Sequence, residues 1–134
     1  MNGPINLRVY GLLPRNNRVL ISRERVAEKD ILKFPGGGVE PNETPEQALQ
    51  REFMEECSLS IEVIRLLHVP GTLFSPWTHT HYTPMYYQVK GIGKAVSPPN
   101  EPLTLSFLTP ASATSSGRMA DPEIEAIGRL FGHD

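Results

Sequence analysis

Glu52, Glu55 and Glu56 crowd into a single short stretch of the chain, and Arg51 stands beside the first of them. On an α-helix, at about 100° per residue, the three carboxylates fall within roughly a 100° arc. Glu52 then neighbours both of the others, at i,i+3 and i,i+4, and each like-charge pair costs an isolated helix on the order of a few tenths of a kcal/mol. The cost rises in a partly dry cleft unless a cation sits between the charges. Magnesium suits such a place, because it takes hard oxygen ligands, keeps several waters and accepts phosphate oxygens from a substrate. Arg51, four residues before Glu55, is spaced to pair with it and orient it. A solvated acidic helix face is the bland reading, and on carboxylate number alone it is favoured.

The elements that must position these groups are legible around them. Thr44 is a good N-cap, Pro45 suits the first helical turn, and Gln47 stands three residues after the cap, so a helix is predicted over Thr44–Cys57. Ala48, Leu49, Phe53 and Cys57 recur at helical spacing and supply its buried stripe, which turns the acidic face outward into a cleft. Before the helix, Ile31–Phe34 reads as a brief extended piece ending at Pro35, followed by a Gly36-Gly37-Gly38 loop whose backbone can approach a phosphorylated ligand closely. Upstream, Ile5–Leu13 and Arg18–Ser22 flank Pro14-Arg15-Asn16-Asn17 and read as a hairpin-like pair. Downstream, Ile61–Val69, Met85–Lys90 and Leu103–Leu108 are predicted strands. Pro70–Thr83 is a loop, Gly91–Pro102 a breaker-rich connection and Ala111–Gly117 a small-residue linker. Ile124, Ile127, Leu130 and Phe131 recur at helical spacing in Asp121–Phe131.

The order of residues, beyond their number, reverses the odds against a bland acidic face. Gly37, five residues, Glu43, seven residues, Arg51-Glu52-Phe53, one residue, Glu55-Glu56, one residue and Ser58-Leu59 resembles the Nudix box, the loop-helix signature of the MutT-like pyrophosphohydrolases. The box's late glycine is Ser58 here, at a position where the chain normally turns left-handed to end the helix; a non-glycine residue there carries a modest penalty without removing a metal ligand. Asn42, where glycine is common in relatives, is a milder departure because asparagine tolerates positive φ.

The resemblance implies one Nudix-type α/β/α sandwich over residues 1–134, a mixed β-sheet held between the box helix and the C-terminal helix. It implies Glu52, Glu55 and Glu56 as ligands of Mg2+ (or Mn2+), with the Gly36 carbonyl completing the shell and Glu52 touching or polarising the attacking water. Arg51 and Glu43 would brace loop against helix, and Gly37 and Gly38 would lie against the substrate. The implied activity is hydrolysis of a nucleoside diphosphate linked to another moiety, such as ADP-ribose or a nucleotide sugar. The runners-up are a nucleoside triphosphate pyrophosphatase that clears damaged nucleotides and a non-catalytic nucleotide sensor. Some relatives use a glutamate far beyond the box as a base, for which Glu101 is the candidate here, against the competing reading of an exposed loop acid. Many relatives pair as homodimers.

Outside the box, Arg23 and Arg25 could meet substrate phosphates, since a guanidinium suits that task, and surface solvation is the competing explanation. Glu40 is an acid of the glycine-rich loop that could stand near the metal. Phe74, Trp77 and Tyr82 could stack a base, at about 1–3 kcal/mol per base, and core packing explains such aromatics equally well. His79-Thr80-His81 alternates like a strand and would suit a zinc pair, but no third ligand is evident. Tyr86 and Tyr87 should point to opposite faces of their strand, one of them into the core.

Composition bounds the rest. The chain has 134 residues, 39% hydrophobic and 21% charged, with a net charge of −2, as expected of a globular domain of about that length. No basic stripe is present, which disfavours duplex nucleic acid as a partner. No apolar run approaches the ~20 residues a membrane span needs. The N-terminal stretch lacks signal-peptide character, and one cysteine, Cys57, excludes an internal disulfide framework. A cytoplasmic protein is the expectation.

Overall fold

The computed structural model describes residues 6–76, 78–100 and 102–132; Trp77 and Glu101 lie outside the described residues. The first strand, β1 (Leu7–Leu12), sends Val9 to one face and Tyr10 and Leu12 to the other, and all three are buried. A strand apolar on both faces belongs in the middle of a sheet covered on both sides. Accordingly β1 lies between β5 (Gly36–Gly38), antiparallel to it, and β8 (His81–Gly91), parallel to it. β6 (Ile61–His68) closes the far side of β8, and the short β7 (Leu73–Phe74) pairs with the beginning of β8.

A second, antiparallel sheet is built on β3 (Arg18–Val26), with β2 (Pro14–Arg15), β4 (Lys29–Lys33) and β9 (Leu103–Leu108) paired to it. The hairpin expected near the N-terminus therefore joins β2 to β3. Its two turn residues, Asn16 and Asn17, both have positive φ (50° and 61°), as a type I′ turn requires. β1 leaves that pairing because its two buried faces need the mixed sheet. Two glycines of the expected 36–38 loop are buried, and the loop is in fact a strand.

Two helices cover the mixed sheet. α1 (Pro45–Cys57) carries a complete capping box: Thr44 Oγ1 accepts from Gln47 N at 3.1 Å, and Gln47 Oε1 accepts from Thr44 N at 2.9 Å. It ends where Ser58 turns left-handed (φ 54°, ψ 35°), with Ser58 N donating to Met54 O, the bond of an αL ending, and Leu59 N donating to Phe53 O. Its apolar stripe of Ala48, Leu49, Phe53 and Cys57 is fully buried against Val9, Tyr87 and Val89. Phe53 presses so closely on β1 that a Cβ at Gly11 would lie 2.8 Å from Phe53 Cζ.

On the opposite face α3 (Asp121–Phe131) packs Ala126 and Ile127 against Tyr10, Leu12, Phe34 and Tyr86. Tyr86 and Tyr87 do point to opposite faces, and both are core, since each face has its own helix. The expected linker at 111–117 holds a short helix, α2 (Pro110–Thr114), started by Thr109, whose hydroxyl accepts from Ser112 N. This is the Thr-Pro start already read at Thr44-Pro45. Among the described residues no helix is long and apolar enough to cross a membrane.

Candidate active site

Arg51 ties the glycine-rich loop to α1. Its Nε donates to Glu43 Oε2 at 2.7 Å, while Nη2 donates to Glu43 Oε1 and to the Gly38 carbonyl, both at 3.0 Å. Nη1 reaches Glu52 Oε2 at 3.2 Å and lies 3.5 Å from Glu55 Oε2. The planar fork matches a carboxylate bidentately, and the Arg51 hydrogen bond, with the Glu40 backbone N–H, holds the Glu43 carboxyl below its usual range. Glu43 in turn accepts from Glu40 N at 2.9 Å, which closes the loop on itself.

Glu52 lies directly over Gly37. A Cβ at Gly37 would come within 2.6 Å of Glu52 Cδ, so only glycine leaves the carboxylate where it lies. Glu56 is largely buried beside Glu52. Burial first, then the hydrogen bond and charge of Glu52, push the Glu56 carboxyl up to about 8, against the pull of Lys33. Its Oε1 is buried and has no hydrogen-bond partner among the described residues. Two adjacent carboxylates with an oxygen left unsatisfied are a hard-oxygen donor set of the kind a divalent ion accepts, so these residues fit magnesium. The expected trio is only partly assembled, however. Glu55 is exposed and turned to Arg51, and no three acidic, histidine or cysteine side chains among the described residues converge as a ready ligand set. Gly36 is buried in β5 opposite Tyr10.

Next to the acids a cavity of about 330 Å3 opens between the two sheets and the start of α3, lined by Arg8, Tyr10, Lys33, Tyr82, Tyr86 and Glu123 among others. Tyr10 and Tyr86 stack with ring centroids 5.5 Å apart. Arg8 donates from Nε to the Tyr10 hydroxyl at 2.6 Å; burial works against its charge, but Tyr10, Glu52 and Glu56 outweigh burial and raise its proton affinity. Lys33 pairs with Glu24 at 3.0 Å, and burial of its ammonium is likewise overcome, chiefly by Glu24. Arg8 and Lys33 thus place positive charge where the cavity meets the carboxylates. Glu123 is buried at α3's first turn; burial pushes its carboxyl up to about 7, against Lys33 and the backbone N–H groups of Phe34 and Ala120.

Several expected site residues lie elsewhere. On β3 it is Glu24 and Val26 that line the cavity; Arg23, one step out of phase, is half-exposed and pairs with Asp30 at 3.0 Å, and Arg25 does not line it. Glu40 is mostly exposed, 3.7 Å from Arg51. His79 sits at a left-handed bend (φ 58°) outside any strand, so strand alternation does not align it with His81; both rings contact Phe74, which is itself exposed. Tyr82 does line the cavity. Sequence reading missed Arg8, Lys33 and Glu123. Arg8 was visible as the lone cation of an otherwise apolar strand, and Lys33 as the one cation of the expected extended piece Ile31–Phe34, whereas Glu123 gave no signal beyond that of a helix-start acid.

Residues 5–130 match the family model described as NUDIX domain. An RNA pyrophosphohydrolase of Pseudomonas fluorescens (strain SBW25) is 39% identical over 57 residues, which cover 42% of this chain and 36% of that protein. The RNA pyrophosphohydrolase of Teredinibacter turnerae is 44% identical over 54 residues, 40% of this chain and 31% of that one. The chain thus spans about a third of the length of these curated relatives. Among solved structures, a MutT NUDIX hydrolase from Burkholderia pseudomallei superposes with a TM-score of 0.80 at 21% identity, covering 96% of this chain and 99% of the other. The E. coli ORF135 protein superposes with a TM-score of 0.78 at 20% identity, covering 97% and 94%. At such identities the likeness is one of fold.

Proposed function

The chain belongs to the NUDIX family, and from that premise we propose that it is a magnesium-dependent hydrolase of phosphoric anhydride bonds. Its substrate is a nucleoside diphosphate linked to another moiety, cleaved to a nucleoside monophosphate and a phosphorylated remainder. The observation that carries this reading is the Glu52–Glu56 pair, with its unsatisfied buried oxygen, beside a cavity lined by Arg8 and Lys33. Glu52, Glu56 and, after leaving Arg51, Glu55 would hold the ion with the Gly36 carbonyl. Bound there, magnesium would neutralise phosphate charge and acidify a water. Arg51 keeps loop and helix in register, Arg8 and Lys33 receive phosphate oxygens, and Glu52 orients the nucleophilic water.

A cavity of about 330 Å3 is at the small end of ligand sites and suits one nucleoside. The group beyond the diphosphate then lies outside it, which leaves a nucleoside triphosphate as the second candidate substrate. The intact carboxylates argue against a mere sensor. The buried free thiol of Cys57 is compatible with a cytoplasmic setting, and sedimentation tests the homodimer expectation.

The test is a turnover screen with magnesium across ADP-ribose, nucleotide sugars, dinucleoside polyphosphates and oxidised triphosphates, with product identification, alongside calorimetric titration of magnesium and manganese. Metal uptake lost in Glu56→Gln, together with anhydride cleavage in the native chain, is the expected result. No metal uptake with or without nucleotide overturns the proposal.

A further inference from the structure

One buried acid of the cavity has no part in holding the metal or bracing the loop. Glu123 is 8% exposed, yet it lines the cavity with Tyr10, Tyr82 and Tyr86. Two of its acceptor sites are met by backbone N–H groups, those of Ala120 at the start of α3 and of Phe34 between β4 and β5. Above pH 7, where Glu123 is ionised, its carboxylate offers about four lone-pair sites, so roughly two remain for a ligand. The walls beside it are aromatic; Arg8 lies at the side of the cavity toward Glu52 and Glu56, and Lys33 stands between that side and Glu123, its charge acting on both Glu56 and Glu123. A ligand with a planar ring at one end and phosphate at the other matches this order of groups.

We propose that Glu123 determines base selectivity, the cavity taking a heterocycle whose edge turns two adjacent N–H donors to its carboxylate, as the guanine edge does with N1–H and the 2-amino group. Edges that alternate donor and acceptor, as in adenine and cytosine, set one acceptor against the carboxylate. Hypoxanthine retains guanine's shape and loses one of its two donors. Charge-assisted hydrogen bonds of this type are the strong ones, and a missing partner leaves a buried acceptor unpaired.

The turnover arm of the test rests on the hydrolase reading above, whereas the binding arm does not. Calorimetry on the full chain compares GMP with IMP, and kinetics compares kcat/KM for a guanosine diphosphate sugar with that for its inosine counterpart, and for GTP with that for ITP. The native chain should favour guanine by roughly ten- to a hundredfold, and Glu123→Gln, which presents a mixed donor and acceptor, should bring the ratio near one. If Glu123→Gln does not fold, Glu123→Asp keeps the charge but withdraws it by one methylene, and should lower the ratio several-fold. A Glu123 that serves only to cap α3 would alter stability and leave the guanine-to-hypoxanthine ratio untouched. A native ratio near one, or one that survives these substitutions, overturns the inference. Guanine preference in binding without any hydrolysis would sink the enzymatic reading and keep this one; hydrolysis without preference would do the reverse.

Discussion

Replacing Gly37 by alanine isolates the positioning of Glu52 from the folding of the loop. Gly37 is not among the glycines of positive φ, so alanine is compatible with its backbone and should slightly restrict the unfolded chain. The added Cβ would lie 2.6 Å from Glu52 Cδ and closer still to Oε2, against the 3.4 Å at which ordinary contact begins, so the carboxylate must retreat by at least about 0.8 Å. The obstacle is the far end of a side chain, which can move, and the fold should tolerate the change. Catalysis should not, because a displacement near 1 Å can cost about a hundredfold in rate, equivalent to about 2.7 kcal/mol of barrier. The assay measures kcat at saturating magnesium, on whichever nucleotide is cleaved fastest, together with a thermal melt. The expected result is a kcat lower by about two orders of magnitude with a melting temperature close to the native value. Native turnover in Gly37→Ala would refute the argument that Glu52 acts from this position, and a collapse of the melting temperature would show that Gly37 serves the fold instead.

Two further outcomes follow from the backbone and from burial. Ser58→Gly relieves a left-handed residue at the end of α1 and should stabilise the chain by about 1 kcal/mol, raising the melting temperature by about 4 °C with turnover unchanged; an unaltered or lower melting temperature would contradict it. Glu123 has a folded pKa raised from 4.5 to about 7, so the folded state favours its protonated form, and native stability falls as pH climbs through that window. The loss amounts to roughly 3 kcal/mol once the group is ionised. Glu123→Gln lacks this titration and should exceed the native chain in stability at pH 8, the gap narrowing towards pH 5; urea melts showing the same difference at both pH values would exclude it.

The helix that carries the acids was readable nearly to the residue, because Thr44, Pro45 and Gln47 are a local cap and Ala48, Leu49, Phe53 and Cys57 a local stripe. Local signals failed where pairing decides the outcome. β3 continues past Ser22 to Val26 and turns at Ala27 and Glu28, both of positive φ, without the glycine or asparagine that marks such turns. The cavity was invisible for the same reason. Arg8, Lys33 and Glu123 come from β1, β4 and α3, far apart in the chain, and only the packing of the two sheets brings them together. Arg23 and Arg25 were attractive as cations near the box, but strand alternation gives the cavity to Glu24 and Val26.

Arg51 gathers Glu43, Glu52 and the Gly38 carbonyl, partners that all come from the same short stretch of chain. Such a cassette carries its own scaffold and asks of the surrounding walls little beyond an apolar seat and the two cations, Arg8 and Lys33. Selection, or an engineer, can therefore rewrite the distant strands and the last helix to change which molecule is admitted while the bond-breaking apparatus passes on intact.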